Sequence, residues 1–427
     1  MGKYLRLLRR RPFTLLWAGS TASAMGDAMT WVSLVWIAFE RGGAGLVSAL
    51  VVASTAPVIV GGFAMGLLLD RFDRRHVLVR VNLVLGLAVA SVPSWFAFFG
   101  PPPTWLLFVV SGLYGLLKMA NWAGVPSLIP ALVGDDDLNT ANAMEAATFG
   151  IADVAGPAIA GALIALIGAY EVLAIDAVSY LVFLGCLVAL RGRLPAFEPR
   201  PVHEARPSLR PAFRFMWRTP AVRATTLMFM AFNAGEGMLL VLMPTFSREV
   251  LAGGPATYGA LLSVFSLSTL AGSVAIGATT WRWPLGRSIA LGQMLAGLAF
   301  LGLAVTHSFV GAAASLALAG LLASPLTIWA QTICMRLTPE AMRGRVFGVL
   351  RTLMQSSPPA GGALAGVLLG GPAVAVPVLV MSGLMAVPGA IGLVAPALAA
   401  EHTDHPERPE DARSRDRSLV GRDDGAA

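Results

Sequence analysis

Charge is scarce in this chain: 13% of its 427 residues are Asp, Glu, Lys or Arg, about half the share that soluble domains carry. A surface so poor in charge is not built to face water, which argues against an ordinary soluble enzyme. The two cysteines, Cys186 and Cys334, sit inside apolar runs, which excludes a disulfide framework and a cysteine metal site. The five histidines, His76, His203, His307, His402 and His405, are scattered. They form no cluster of the kind a membrane-surface enzyme would need. No Gly-x-x-x-x-Gly-Lys phosphate loop occurs, so ATP-driven work by this chain is not expected. Lysine is nearly missing, with only Lys3 and Lys118.

Apolar residues are in excess. They make up 56% of the sequence, and the mean hydropathy is +0.71. A hydrocarbon core of about 30 Å demands about 20 consecutive apolar residues. Runs near 12–39, 45–69, 77–99, 104–131, 139–168 and 170–190 meet that demand. Six more follow at 221–247, 257–280, 285–306, 309–335, 346–370 and 373–399. In lipid a segment must satisfy its own backbone hydrogen bonds, so runs this long predict helices. The expected fold is an all-α membrane protein of twelve transmembrane helices. The arginine-rich start and Ala22-Ser23-Ala24 imitate a secretory signal with its cleavage site, but the apolar run continues past that point and reads as a first span.

A net charge of +7 might suit nucleic acid, but its distribution points elsewhere. With loops assigned alternately to two faces, 28 of the 31 Lys and Arg fall on one face; the other receives Arg41 and Arg248, and Lys118 lies inside a span. This asymmetry predicts both termini in the cytoplasm. A proline-interrupted linker over 191–220 separates an expected bundle over 1–190 from another over 221–400. Within it, Phe213, Phe215, Met216 and Trp217 among arginines predict a short helix lying on the inner leaflet. Residues 401–427 have the composition of a disordered cytoplasmic tail.

The stretch Gly66-Leu67-Leu68-Leu69-Asp70-Arg71-Phe72-Asp73-Arg74-Arg75 joins the second span to the third. Asp70 is placed to pair with Arg74 or with the positive N-terminal end of another helix, and the arginines hold the turn in the cytoplasm. The stretch resembles the Gly-x-Leu-x-Asp-Arg-x-Gly-Arg-Arg loop of the major facilitator superfamily. Asp73 replaces the usual glycine, as in the branch containing bacterial macrolide and siderophore exporters. On the fifth span, Gly150, Gly156-Pro157 and Gly161 resemble the Gly-Pro-rich segment of drug and siderophore exporters, where glycine allows close packing and proline a bend. Asp135-Asp136-Asp137 should open a helix, with Asn139 or Thr140 as its cap. With Asp176 and Arg343-Gly344-Arg345, this segment extends the likeness to macrolide and enterobactin exporters. The resemblance implies two parallel six-helix halves with a substrate cavity between them. Internal echoes agree: Pro12 precedes Gly26-Asp27 much as Pro220 precedes Gly235-Glu236.

Four ionisable residues lie near mid-span: Asp27, Lys118, Asp153 and Glu236. Each costs about 2.5–3.5 kcal/mol on insertion scales unless paired or hydrated. Withdrawal from water favours a neutral carboxyl, so Asp27 and Glu236, related by the repeat, are candidate proton-exchange sites, with Asp153 and Lys118 as further proton-coupling candidates. The alternative is a static ion pair of Asp27 or Asp153 with Lys118. Polar residues recur at steps of three, four and three on the first span (Ser20, Ser23, Asp27, Thr30), the fourth (Ser111, Tyr114, Lys118, Asn121) and the tenth (Ser324, Thr327, Gln331, Cys334). Those steps hold each set on one helix face, where it either lines a water-filled cavity or joins helices. The resemblance implies that the first, fourth, seventh and tenth helices line the cavity, making Trp31, Tyr114, Asn121, Asn233, Trp329 and Gln331 candidate substrate contacts. Lys118-Met119-Ala120-Asn121-Trp122 is similar to the Arg-x-x-Gln-Gly of proton-coupled members, with Lys for Arg and Trp for Gly.

The expected function is export of an amphipathic small molecule, a drug, macrolide-like compound or siderophore, across a bacterial inner membrane. Alternating access with proton antiport would drive it. A monomer is expected, with no cofactor, metal or nucleic acid. An importer or uniporter on the same fold and a non-transporting membrane sensor are the alternatives.

Overall fold

The computed structural model describes residues 2–192, 210–279, 281, 283–371 and 373–399. The linker over 193–209 and the tail over 401–427 lie outside the described residues. Among the described residues every regular element is helical. The first half holds α1 (Gly2–Leu8), α2 (Arg11–Arg71), α3 (Arg74–Phe99), α4 (Thr104–Leu132), α5 (Asp135–Ile167) and α6 (Ala169–Ala189). The second holds α7 (Arg210–Arg218), α8 (Pro220–Thr245), α9 (Pro255–Gly277), α10 (Leu285–Ala299), α11 (Gly302–Val305), α12 (Phe309–Leu337), α13 (Arg343–Leu368), α14 (Ala375–Val394) and α15 (Pro396–Ala399).

Ten helices among the described residues are long and apolar enough to cross a bilayer. Two more passes complete the expected twelve. The 61 residues of α2 hold two spans, divided at Gly42 and at Gly43, whose φ of 58° and ψ of −155° suit only glycine. Helix α13, with 26 residues, is long enough, but Arg343, Arg345, Arg351 and Gln355 dilute its apolar character. Helix α5 starts four residues before the expected span. Its cap is Gly134 and its first turn carries Asp135, Asp136 and Asp137, so Asn139 and Thr140 lie inside the helix and do not cap it. The three acids meet the unpaired N–H groups of that turn, and Asp137 is further held by Arg10 at 2.9 Å.

Lipid provides no hydrophobic drive between helices, so close backbone approach through small residues must hold the bundle together. In the first half α2 packs on α4 and α6, and α3 on α6; in the second, α9 packs on α12, α8 on α14 and α10 on α14. A Cβ at Gly115 of α4 would overlap the Ser54 carbonyl of α2, and one at Gly61 of α2 would overlap the Leu116 carbonyl of α4. The two sets of helices meet along α2–α13 and α5–α9. Ser48 Oγ donates to the Gly362 carbonyl at 2.8 Å, and Gly161 lies directly against Pro255, Ala256 and Gly259. Both contacts sit toward the end of the bundle opposite the Asp70–Arg75 turn.

At that turn Asp73 caps α3, accepting from His76 N at 3.1 Å. Arg74 donates to the Ser127 carbonyl at 3.0 Å and buried Arg75 to the Leu187 carbonyl at 2.6 Å. The arginines thus close the carbonyl ends of α4 and α6, a favourable place for cations. Asp70 is exposed and does not pair with Arg74; the pairing allowed by the sequence is replaced by the Arg74–Ser127 bond. Helix α7 buries Ala212 and Met216 against Val346 and Leu350 of α13, with Phe213 and Trp217 stacked at 5.9 Å on its outer face.

Gly115→Ala is expected to destabilise the protein by about 1–3 kcal/mol through overpacking, read as a lower midpoint of thermal unfolding in detergent. Gly62→Ala, which meets nothing within 4 Å, should leave the midpoint unchanged or raise it.

Candidate functional site

The first arm of α2 carries its polar stripe against α6 and α5. Gly26 lets α6 approach so closely that a Cβ there would overlap the Asp176 carboxylate. Beside it, Tyr180 donates its hydroxyl to Asp27 Oδ1 at 2.5 Å. Thr30 donates to Asp176 Oδ2 at 2.5 Å and Ser179 to Asp176 Oδ1 at 2.7 Å. Asp27 is 9% exposed and Asp176 is fully buried. Two carboxyls are therefore held side by side at the α2–α6 contact by hydroxyl donors, with no ion pair to either among the described residues.

Lys118 stands nearby without neutralising them. Its ammonium donates to the Tyr114 hydroxyl at 2.9 Å and lies 4.9 Å from the Tyr114 ring centroid and 5.8 Å from that of Trp122. Tyr114 OH in turn reaches the Asp27 carbonyl at 3.5 Å. The static Lys118–Asp27 or Lys118–Asp153 bridge that the sequence left open is not formed. A tyrosine stands between the cation and the acid, and the ammonium is stabilised by π faces instead.

The other expected residues scatter. Asp153 lines a separate pocket of about 260 Å³ between α5 and α9, with Thr269, Ser266 and Ser273. Glu236 is half-buried on α8 and has no hydrogen-bond partner among the described residues, while Asn233 donates back to the Phe229 carbonyl at 2.9 Å. Asn121 exchanges hydrogen bonds with Asn82 of α3 at 2.8 and 3.1 Å, so it joins two helices of one half. Trp329 is buried against Trp281, 4.9 Å between centroids; Trp31 is half-buried in the core and Gln331 is exposed. Gly156 and Pro157 lie where α5 meets α2 and α9, Gly156 against Ala28 and the Pro157 carbonyl against Gly259.

A cleft of about 310 Å³ separates the halves on the side of the Asp70–Arg75 turn, walled by Val58, Met119 and Trp122 on one side and by Gly348, Arg351 and Gln355 of α13 on the other. The Arg351 guanidinium lies 5.9 Å from the Trp122 ring centroid. Sequence reasoning missed Arg351 and Gln355, although their interruption of an otherwise apolar run was a visible signal. It also missed Tyr180 and gave Asp176 no role; no sequence spacing links residue 27 to residues 176 and 180.

The repeat has a structural counterpart with different chemistry. Gly235, the match of Gly26, packs on Met385 of α14 where Gly26 packs on Asp176 of α6. Among the described residues, the contact at Gly26 carries two acids and the contact at Gly235 brings no second acid to Glu236. Among the described residues no group of His, Cys, Asp and Glu is arranged to hold a metal ion.

Helical spans in two sets, a mainly apolar cleft between them that carries Arg351 and Gln355, and buried acids held by hydroxyls define a polytopic membrane protein. A family model described as Major Facilitator Superfamily matches residues 16–362 and again 234–422. The chain belongs to that superfamily. The multidrug efflux pump Tap of Mycolicibacterium fortuitum is 25% identical over 403 residues, 91% of this chain and 97% of its own. The MFS-type transporter y4rN of Sinorhizobium fredii is 26% identical over 363 residues, 84% and 88% of the two chains. Macrolide efflux protein A of Streptococcus pyogenes is 24% identical over 178 residues, 42% of each. Among solved structures, the nucleoside transporter NupG superposes with a TM-score of 0.72 at 12% identity, covering 90% of this chain and 99% of its own. A peptide transporter POT in complex with alafosfalin gives 0.69 at 18% identity, covering 92% and 96%. At such identities the structures speak for the fold alone.

Tyr180→Phe is expected to cost about 1–3 kcal/mol, since it removes a donor from a buried carboxyl. In a double-mutant cycle with Asp27→Asn the two losses should not add. Additive losses in the unfolding midpoints would show that the Asp27–Tyr180 bond carries no energy.

Proposed function

We propose that this chain is a proton-driven exporter of an amphipathic small molecule, of the kind named for Tap and for macrolide efflux protein A, working as a monomer in a bacterial inner membrane. The observation that carries the coupling is the Asp27–Asp176 pair: two carboxyls buried together, held by hydroxyls and left without a counter-ion. The two carboxyls stand together away from water, with hydroxyl donors and, among the described residues, no cation to balance them. A pair that gains or loses a proton as water reaches it can tie protonation to opening and closing.

The distribution of contacts supports alternating access. The halves over 1–190 and 221–400 meet at Ser48–Gly362 and at Gly161–Gly259, toward one end, and leave a cleft at the other. With the arginine-rich face in the cytoplasm, the structure is open inward. On this reading Asp70 is released from any partner in the inward-open state, and Trp122, Met119, Arg351 and Gln355 meet the substrate as it enters. The apolar and aromatic share of that wall suits an amphipathic ligand, and Glu236 and Asp153 remain secondary coupling candidates.

Inside-out membrane vesicles energised by a pH gradient test the proposal. The intact protein should accumulate a lipophilic cationic dye or a macrolide. Asp27→Asn should lower gradient-driven accumulation about a hundredfold, while exchange of labelled for unlabelled dye without a gradient persists. Undiminished gradient-driven uptake by both Asp27→Asn and Asp176→Asn would remove the pair from the coupling mechanism.

A further inference from the structure

Helix α7 presents three stripes to three surroundings. Ala212 and Met216, one turn apart, are buried against Val346 and Leu350 of α13. Phe213 and Trp217, also one turn apart, stack on each other and stand about half exposed, at 49% and 52%. Arg210, Arg214 and Arg218 recur at the same four-residue step, which keeps them on one face of the helix. A short helix that is apolar on one side and cationic on the next lies at the border of lipid and water, its arginine stems along apolar surface and their heads at headgroup level.

Between α7 and the start of α13 opens a pocket of about 750 Å³, larger than the cleft of about 310 Å³ between the halves. Arg210 and Arg214 line it from α7 and Arg345 from α13, and Phe213, Val349 and Leu353 supply an apolar wall. Among the described residues that line it none is acidic; Glu340, just before α13, is held by Arg343 at 3.2 Å. Gly344 sits in the first turn of α13, the positive end of that helix, and a Cβ added there would meet nothing within 4 Å. The backbone is therefore open to the pocket. A guanidinium presents a fork of donors that fits the oxygens of a phosphate, and several of them around a pocket with no carboxylate in its wall select for an anion. A free ion would gain nothing from the apolar wall beside them. An anion that carries a hydrocarbon chain uses both.

We infer that the pocket between α7 and α13 is a binding site for an anionic phospholipid of the leaflet on the arginine-rich side, its phosphate held by Arg214 and Arg345 and an acyl chain laid along Phe213, Val349 and Leu353. A zwitterionic lipid offers the same chain and phosphate, but its ammonium adds a cation among arginines, so the site discriminates by net charge. Gly348 and Thr352 line this pocket and also the cleft between the halves. The lipid thus sits against the same helix that walls the cleft. The site needs only the membrane fold and holds whatever drives transport.

Native mass spectrometry of the full chain in detergent, offered dioleoyl phosphatidylglycerol, dioleoyl phosphatidylcholine or inorganic phosphate, tests the site. The wild type should retain phosphatidylglycerol in preference to phosphatidylcholine, and inorganic phosphate should not displace it. Arg214→Ala should weaken phosphatidylglycerol binding about fivefold, and Arg214→Ala with Arg345→Ala about thirtyfold. Gly344→Leu, which fills the pocket and keeps every arginine, should weaken it too. Arg80→Ala removes an exposed arginine of α3 outside the pocket and should change nothing. Arg214 is itself exposed, so its variant keeps the bundle folded and decides alone if the others do not fold. Equal retention of the two lipids, displacement by inorganic phosphate, or the same loss from Arg80→Ala as from Arg214→Ala overturns the inference. A photo-crosslinking phenylalanine analogue at position 213, irradiated in membranes, should label phospholipid; label on residues 401–427 or on a second copy of the chain would give the pocket another occupant and overturn it as well.

Discussion

A hydrocarbon interior that cannot hydrogen-bond is the constraint on which everything else in this molecule depends. It forces the backbone into helices, and it obliges each polar side chain at depth to find a partner within the protein or face a water-filled gap. Most hydroxyls comply by bonding their own helix, as Ser54, Thr55, Thr225 and Thr226 do. Ser315 of α12 reaches across to the Ala299 carbonyl of α10, but most of the exceptions gather on α2. The first arm of α2 brings Ser20, Ser23, Asp27 and Thr30 against α5 and α6, and it is there that carboxyls meet hydroxyls from other helices.

The same constraint explains how the halves are joined. Without a hydrophobic drive between helices, contact depends on how near two backbones come. Gly259 against the Pro157 carbonyl and Gly362 beside Val51 let the halves touch with little side chain between them. Narrow contacts of that kind, concentrated at one end and facing a cleft at the other, suit two bodies that rock about each other. Large interdigitated side chains across the interface would resist such motion.

The two stretches that echo each other in sequence, at Gly26-Asp27 and Gly235-Glu236, differ in chemistry. At corresponding places α2 presents Gly26 to Asp176 and α8 presents Gly235 to Met385. The contact at Gly26 is polar and carries acids, and the contact at Gly235 is apolar. The neighbourhood of the second is held by Gln293, which donates to the Met228 and Met385 carbonyls at 2.9 and 3.2 Å.

The helical spans, the approximate ends of most helices and the charged turn were legible in the residues. Hydropathy and charge act locally and sum along the chain, so no knowledge of neighbours is needed to read them. Asp27 and Lys118 could be singled out for the same reason, since any ionisable group in a long apolar run stands out by itself. What Lys118 bonds to, that Asp70 has no partner among the described residues while Arg74 closes α4, and that Asn121 serves Asn82 were decided by tertiary structure. So were the joining of Asp27 to Tyr180, the placing of Asp176 beside them and the burial of Glu145 with one oxygen unmet. These depend on how far each helix is rotated about its axis and which face it turns to which neighbour. Residues 27 and 180 meet, and residues 20 and 145 meet, only when α2 packs against α6 and α5, helices more than a hundred residues further along the chain.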